Sequence, residues 1–458
     1  MLALAWALVG YSSLFDLGLG RALTQQVAEK LGVGQDHDIP VMVWTSLILI
    51  LIFGIVGTVV LGLLSPWLVH TVLKIPKDLR PETLRALYLL ALSIPTVISA
   101  AALRGALEAH QRFDLTSAVR TATGILTLVG PLVVVRFSKS LVPVVGVMLG
   151  VRVLACIVSF WLCLHVMPAL RRPVAPRRSA IAELISFGGW MTVTNVLGPL
   201  MSYMDRFIIG AMISVSAVAY YTTPSEAVGN LGIIPAGIVG VLFPAFAMDF
   251  RGNPDSVKRL FRRGLKYTYL ILFPLTLLVM AFAREGLQFW LGSEFAKNSF
   301  VVLQWLTFGR LFNSLAQLPF GLVQGAGFSH LTGKLHLIEL PFYLVTVWWL
   351  TRTMGIEGTA IAWVARVMVD TLILFGMAQR LLRYGTSVVR DLVLVTGVSV
   401  VILLMVVLPI GIPAKLTVAA LTVLVLTLVG LKSVTHETQR PEIFAIVSRF
   451  AKAFERVK

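Results

Sequence analysis

Five arginines and five carboxylates interrupt stretches of sequence that are otherwise apolar enough to lie in a bilayer. They are Arg120, Arg152, Arg206, Arg310 and Arg366, with Asp16, Asp205, Glu226, Glu339 and Asp370. A charge at the centre of a spanning helix costs about 2.5–3.5 kcal/mol even on insertion-based scales. Ten such residues cannot all face lipid; they require a polar cavity, mutual pairing, or both. A guanidinium fork grips carboxylate or phosphate oxygens through two parallel hydrogen bonds, so the five arginines are candidates for holding an anionic solute. Coupling to H+ or Na+ needs an intramembrane carboxylate, and Asp205, Glu226, Glu339 and Asp370 are the candidates for that role.

Spacing sorts these groups further. Arg366 and Asp370 lie four apart on one helix face and could neutralise each other or serve a ligand. Asp205 and Arg206 are adjacent, so they project about 100° apart and cannot share one partner. Arg120, Arg152 and Arg310 have no acid within four residues on their own helix, which makes them the better candidates for a ligand.

The elements that must position these charges are spanning helices. Of the 458 residues, 57% are hydrophobic and only 13% are charged, whereas a soluble domain averages about 25% charged. Apolar runs near the roughly 20 residues needed to cross a bilayer recur along the chain. Thirteen spans are expected, near 2–20, 41–69, 84–103, 115–135, 142–167, 183–212, 215–246, 267–283, 300–323, 335–351, 358–378, 391–410 and 415–431. The fold class is therefore an all-α integral membrane protein. Loops on one side carry 24 Lys and Arg and those on the other side 9, which places the first side in the cytoplasm. The tail from Lys432 to Lys458 is basic and amphipathic and fits the anionic cytoplasmic leaflet. Trp348, Trp349 and Arg352 look like interfacial anchors.

Weak internal matches organise the spans. "VGVMLGVRVL" (145–154) resembles "TAIAWVARVM" (359–368), pairing Arg152 with Arg366 at an offset of 214. "RGALEAHQRFDLT" (104–116) resembles "QGAGFSHLT" (324–332), and "VGYSSLFDLGLG" (9–20) resembles "VGNLGIIPAGIVG" (228–240), at offsets of 216–220. Two pseudo-symmetric six-helix lobes follow, related as parallel repeats. The expected division is an N-terminal lobe over 1–170, a basic linker over 171–182, a C-terminal lobe over 183–383, two further helices over 390–431 and the tail. The segment that would match residues 183–212 falls before Met1, so the first helix of the plan is expected to be missing.

Other chemistries are poorly supported. The net charge of +17 follows from loop lysines and arginines, and no nucleic-acid partner is implied. "DHD" at 36–38 has the form of a sugar-transfer metal motif but reads as a solvated turn beside Gly34 and Pro40. "GAGFSHLTGKL" at 325–335 departs from a phosphate loop in spacing and in the residue after Lys334. The seven histidines make no metalloprotease motif and no cluster with Cys156 or Cys163, so no metal site is expected. Those two cysteines stand two helical turns apart, too far to bridge.

Three stretches carry a family resemblance. "FDLGLGRALTQQVAEKLG" (15–32), "MDRFIIGAMISVSAVAYYTTPSEAV" (204–228) and "LIELPFYLVTVWWLTRTMGIEGTAIAWVARVMVD" (337–370) resemble segments of the polysaccharide transporter family. These are oligosaccharide-lipid and O-antigen-type flippases within the multidrug/oligosaccharidyl-lipid/polysaccharide superfamily. The resemblance implies two lobes around a central cavity, which move undecaprenyl-pyrophosphate-linked sugar units across a bacterial inner membrane by ion-coupled alternating access. It implies no enzyme activity and no cofactor beyond a coupling ion, H+ or Na+. The implied partners are the lipid-linked oligosaccharide, membrane lipids, and a polysaccharide polymerase with its chain-length machinery. The rival reading within transport is a cation-coupled multidrug antiporter, which should depend on Asp205, Glu226 or Asp370 more than on arginines. A membrane glycosyltransferase would need a larger external loop than the longest expected here, 284–299.

Overall fold

The computed structural model describes residues 18–72, 76–137, 140–383, 397, 399–405, 411, 413–422 and 424–425. The expected span 2–20 falls almost wholly outside the described residues, as do Asp16 and the 432–458 tail. The two spans expected beyond residue 390 are described only as helical pieces over 399–405 and 413–422.

Every described element is helical. The first group comprises α1 (Leu19–Gly32), α2 (Ile39–Trp67), α3 (Arg80–Ala109), α4 (Phe113–Phe137) and α5 (Leu141–Val166). The second comprises α6 (Arg178–Met212), α7 (Val215–Gly229), α8 (Ile233–Gly252), α9 (Pro254–Ala281), α10 (Ala283–Leu291), α11 (Ser293–Gly325) and α12 (Ser329–Leu382). Gly355, at φ 64°, breaks α12 into two limbs. Gly358 lies against the Leu350 carbonyl, and the Thr351 and Thr359 hydroxyls meet at 2.7 Å. The limbs therefore run antiparallel.

Eight helices among the described residues are long and apolar enough to cross a membrane. On α2, Leu51, Ile52, Ile55, Val56, Val59 and Leu63 are all exposed, a surface that water would penalise and lipid would not. The chain is a multi-pass membrane protein. Helix α11 is not among the eight although it has 33 residues. Gln304, Arg310, Asn313 and Gln317 interrupt its apolar sequence, and it is buried among α7, α8, α9, α10 and α12.

Two loops expected from hydropathy are helical. The basic segment 258–266 lies in the first half of α9, which begins at Pro254, where the Asn253 side chain accepts from Ser256 N–H at 3.1 Å. Val257, Phe261 and Gly264 are buried on one face of it, so amphipathic helix continues past the end of the apolar run. The stretch 284–299, expected as an external loop, is helical through most of α10 and the start of α11, with Phe289 96% exposed and Trp290 exposed beside it. Hydropathy marks where lipid begins, not where a helix does.

Glycines 220 residues apart, Gly105 with Gly325 and Gly32 with Gly252, sit at close helix crossings. A Cβ on Gly105 of α3 would stand 2.8 Å from the Gly20 carbonyl oxygen of α1. One on Gly325 of α11 would stand 3.1 Å from the Phe243 carbonyl of α8. The two groups of helices meet where α1 packs on α6 and α8. There Gly32, at the end of α1, lies on the Met248 carbonyl, and Gly252, at the end of α8, lies near the Gly32 carbonyl. The helices matched by the repeat thus pack on one another through matched glycines. The ion pair Glu29–Arg251 (2.8 Å) and the contact of Gln111 with Met248 lie at this same end. It is the end bearing the basic loops.

Candidate functional site

The charges of the second group converge on α6. Helix α6 carries Gly198, Ser202, Asp205 and Arg206 along its inner side, and two cavities flank it. The larger, about 330 Å³, is lined by Asp205, Arg206, Tyr221, Glu226 and Arg310. The smaller, about 180 Å³, is lined by His336, Arg366 and Asp370 together with Asn313 and Gln317. Ser202 lines both.

Asp205 and Arg206 diverge as their adjacency requires. Asp205 is buried and accepts from the Tyr221 hydroxyl at 2.6 Å and from the Tyr343 hydroxyl at 2.5 Å. Two phenol donors from α7 and α12 thus replace water around this carboxylate. Arg206 turns to Glu226, 2.7 Å away on α7, and lies over the Tyr203 ring at 4.8 Å. The ligand candidate Arg206 and the coupling candidate Glu226 are therefore partners, joined across 20 residues.

Arg310 is also engaged. It donates to the Gly229 carbonyl at 2.5 Å, to the Val228 carbonyl at 3.4 Å and to Asn313 Oδ1 at 3.1 Å. Those carbonyls sit where α7 ends and a short 3₁₀ turn, Asn230–Gly232, leads into α8. A helix end leaves carbonyls without intrahelical partners, and Arg310 supplies donors to them. Its guanidinium lies 3.0 Å from where a Cβ on Gly232 would be.

Arg366 and Asp370 do not form the ion pair that their i, i+4 spacing allowed. The Arg366 guanidinium lies over the Tyr343 ring at 5.3 Å and its Nη1 approaches Met201 Sδ at 3.6 Å, while its Nε has no partner. Asp370 instead faces Glu339 and His336 across the hairpin, with one donor atom of each residue within 4.8 Å of the others. His336 is a site residue that the histidine spacing patterns pass over. The available signal was a His three residues before an intramembrane Glu on the first limb, facing an Asp on the second.

The other two arginines belong to the first group of helices. Arg152 on α5 donates to Ser93 Oγ of α3 at 2.8 Å. It is half-buried and faces no acid within ion-pair distance among the described residues. Arg120 lies two turns into α4 and is exposed. Helix α4 buries only Thr116 and Pro131, so most of its surface, Arg120 included, lies outside the packed interior. The structure brings together Arg206, Arg310 and Arg366 with four acids, and it holds Arg152 and Arg120 apart from them.

The smaller candidates resolve simply. Asp36–Asp38 is a 3₁₀ turn in which Asp38 binds Arg177 at 3.2 Å, tying this loop to the basic linker. The stretch 325–335 runs from the last residue of α11 through a turn over 326–328, with Gly327 at φ 92°, into the first two turns of α12. Cys156 and Cys163 are free thiols. Arg352 lies over the exposed Trp348 ring at 5.6 Å.

A family profile described as polysaccharide biosynthesis protein matches residues 1–299. A Shigella flexneri protein provisionally named an O-antigen transporter is 31% identical over 381 residues, covering 82% of this chain and 89% of that protein. An uncharacterized membrane protein of Methanocaldococcus jannaschii is 22% identical over 223 residues, covering 48% of this chain and 44% of that protein. Among solved structures, a MATE transporter of Vibrio cholerae superposes with a TM-score of 0.71 at 16% identity, covering 83% of this chain and 89% of that one. A MOP-superfamily transporter of Pyrococcus furiosus, whose description cites a binding pocket of reversed polarity, gives 0.69 at 14% identity, covering 84% and 88%. The fold is that of these all-helical transporters.

Proposed function

Because the chain belongs to the polysaccharide biosynthesis protein family, we propose that it is a flippase for undecaprenyl-pyrophosphate-linked oligosaccharide in a bacterial inner membrane. The sugar unit moves from the cytoplasmic to the periplasmic leaflet for assembly into cell-surface polysaccharide. The observation that carries this reading is the likeness to the O-antigen transporter over 82% of the chain. The geometry supports it through Arg152, a half-buried cation whose described partner is the neutral Ser93. Such a cation keeps donor capacity for a pyrophosphate oxygen. With the basic end of the molecule in the cytoplasm, the packing of Gly32 on Met248 and the Glu29–Arg251 pair close that side. A closed cytoplasmic end is what an outward-facing member of an alternating-access cycle requires. Asp205, Glu339 and Asp370 are the buried acids through which ion coupling would run.

The second reading, cation-coupled drug antiport, has in its favour those same buried acids and the shared fold of the MATE transporters. Allele replacement in the host separates the two. Under the flippase reading, Arg152→Gln lowers surface polysaccharide by roughly tenfold or more and leaves tolerance to cationic drugs unchanged. Under the antiport reading, Arg152→Gln leaves the polysaccharide intact, and Asp205→Asn or Asp370→Asn removes drug tolerance.

A further inference from the structure

We propose that His336, Glu339 and Asp370 form a binding site for a divalent first-row transition-metal ion. His336 and Glu339 are three residues apart on the first limb of α12 and share a face, and Asp370 meets them from the second limb. One donor atom from each lies within 4.8 Å of the other two. The three residues are 9%, 7% and 7% exposed. Buried polar groups ordinarily find hydrogen-bond partners, yet His336 Nδ1, both Glu339 carboxylate oxygens and Asp370 Oδ1 have none. Two carboxyl groups facing one another are costly in such surroundings unless a proton or a cation lies between them. A cation at their common centre removes that cost.

The neighbouring groups do not fill this role. Arg366 lies against the Tyr343 ring and the Met201 sulfur and makes no ion pair with either carboxylate among the described residues, and Asp205 is enclosed by Tyr221 and Tyr343. The donor set identifies the class of ion. Na+ and Mg2+ favour all-oxygen shells, whereas one imidazole nitrogen with two carboxylate oxygens suits Zn2+, Co2+ or Mn2+. Spacings of up to 4.8 Å would close to about 3.3 Å in a tetrahedral shell with bonds near 2.1 Å, a movement on the order of 1 Å by side chains. The His336 ring is held by stacking on Phe320 at 5.9 Å and 15°. The 180 Å³ cavity reaches both His336 and Asp370, so it offers the ion a path and leaves room for a water ligand.

This inference does not depend on which solute the protein carries, but with Glu339 and Asp370 holding a metal it leaves Asp205 as the buried acid for H+ or Na+ coupling; its test needs no transport assay. The full chain is purified in detergent with a tag that lacks histidine, stripped with chelator, and titrated with Co2+ while the visible ligand-field band is followed. One Co2+ per chain is expected, displaced stoichiometrically by Zn2+. Glu339→Gln and Asp370→Asn should each weaken binding at least tenfold, and His336→Gln should shift the band as the nitrogen donor is lost. Circular dichroism and size exclusion establish that the variants are folded. Absence of a saturable band in the wild-type chain at millimolar Co2+, or equal titrations of wild type and all three folded variants, would overturn the proposal.

Discussion

Replacing Gly32 by Ala probes the contact that joins the two groups of helices. The added Cβ would stand 1.8 Å from the Met248 carbonyl oxygen and 3.0 Å from its Cα. Carbon and carbonyl oxygen normally approach no closer than about 3.3 Å, so α1 and α8 must part by roughly 1.5 Å. The obstructing atoms are backbone and cannot rotate away. At that separation the Glu29–Arg251 pair, now 2.8 Å long, passes beyond ion-pair range. Arg251 is mostly exposed, so the pair itself contributes about 0–1 kcal/mol. The overlap costs about 1–3 kcal/mol, as inserted methyl groups do in packed interfaces. A bias of that size shifts a two-state equilibrium by roughly 5- to 150-fold. Spin labels at Asp36 and Pro254, in a cysteine-free background, report the separation at this end by double electron–electron resonance. The expected result is transfer of the short-distance population to a longer distance in Gly32→Ala. An unchanged distribution would refute the reasoning, because it would mean that the helices do not approach so closely.

Three further outcomes follow from the same geometry. Tyr343→Phe and Tyr221→Phe each remove one donor to the buried Asp205, costing about 1.5–3 kcal/mol apiece. Thermal unfolding in detergent should show this, and on an Asp205→Asn background the loss should shrink. Arg310→Lys cannot serve the Val228 and Gly229 carbonyls together, so hydrogen exchange over 226–234 should rise where α7 gives way to α8. The Arg206–Glu226 pair is half in solvent, with Glu226 64% exposed; a double-mutant cycle should return a coupling of no more than about 1 kcal/mol.

The all-helical, multi-pass class was legible because bilayer-length apolar runs need no long-range information, though eight helices among the described residues, not thirteen, meet that length and composition. Helix α2, with its stripe from Leu51 to Leu63, is the plain case. Helix ends were less so: the start of α9 depends on the Asn253 cap and on the Val257–Phe261–Gly264 face, features of period and capping that hydropathy averages away. Charges interrupting apolar runs were also legible, since a bilayer makes each one costly, but their burial was not: Asp205, Glu339 and Asp370 are buried, whereas Arg120 and Glu226 are exposed. Nor were their partners legible. Arg206 finds Glu226 twenty residues on, and Asp205 finds Tyr343 across 138. The local spacing of Arg366 and Asp370 suggested a pair that the hairpin at Gly355 replaces with another. The contact of Gly32 and Gly252 was not legible either: both glycines lie beyond the matched stretches 9–20 and 228–240, and only the packing of α1 on α8 brings them together.

Translocation of a lipid-linked sugar unit is read out by the sidedness of that intermediate in the host membrane. With the gene deleted, spheroplasts and inverted vesicles would be probed with a membrane-impermeant sugar oxidant. The intermediate should accumulate on the cytoplasmic face, with export restored by the wild-type gene and not by Arg152→Gln. An intermediate that still reaches the periplasmic face at the wild-type level would contradict it.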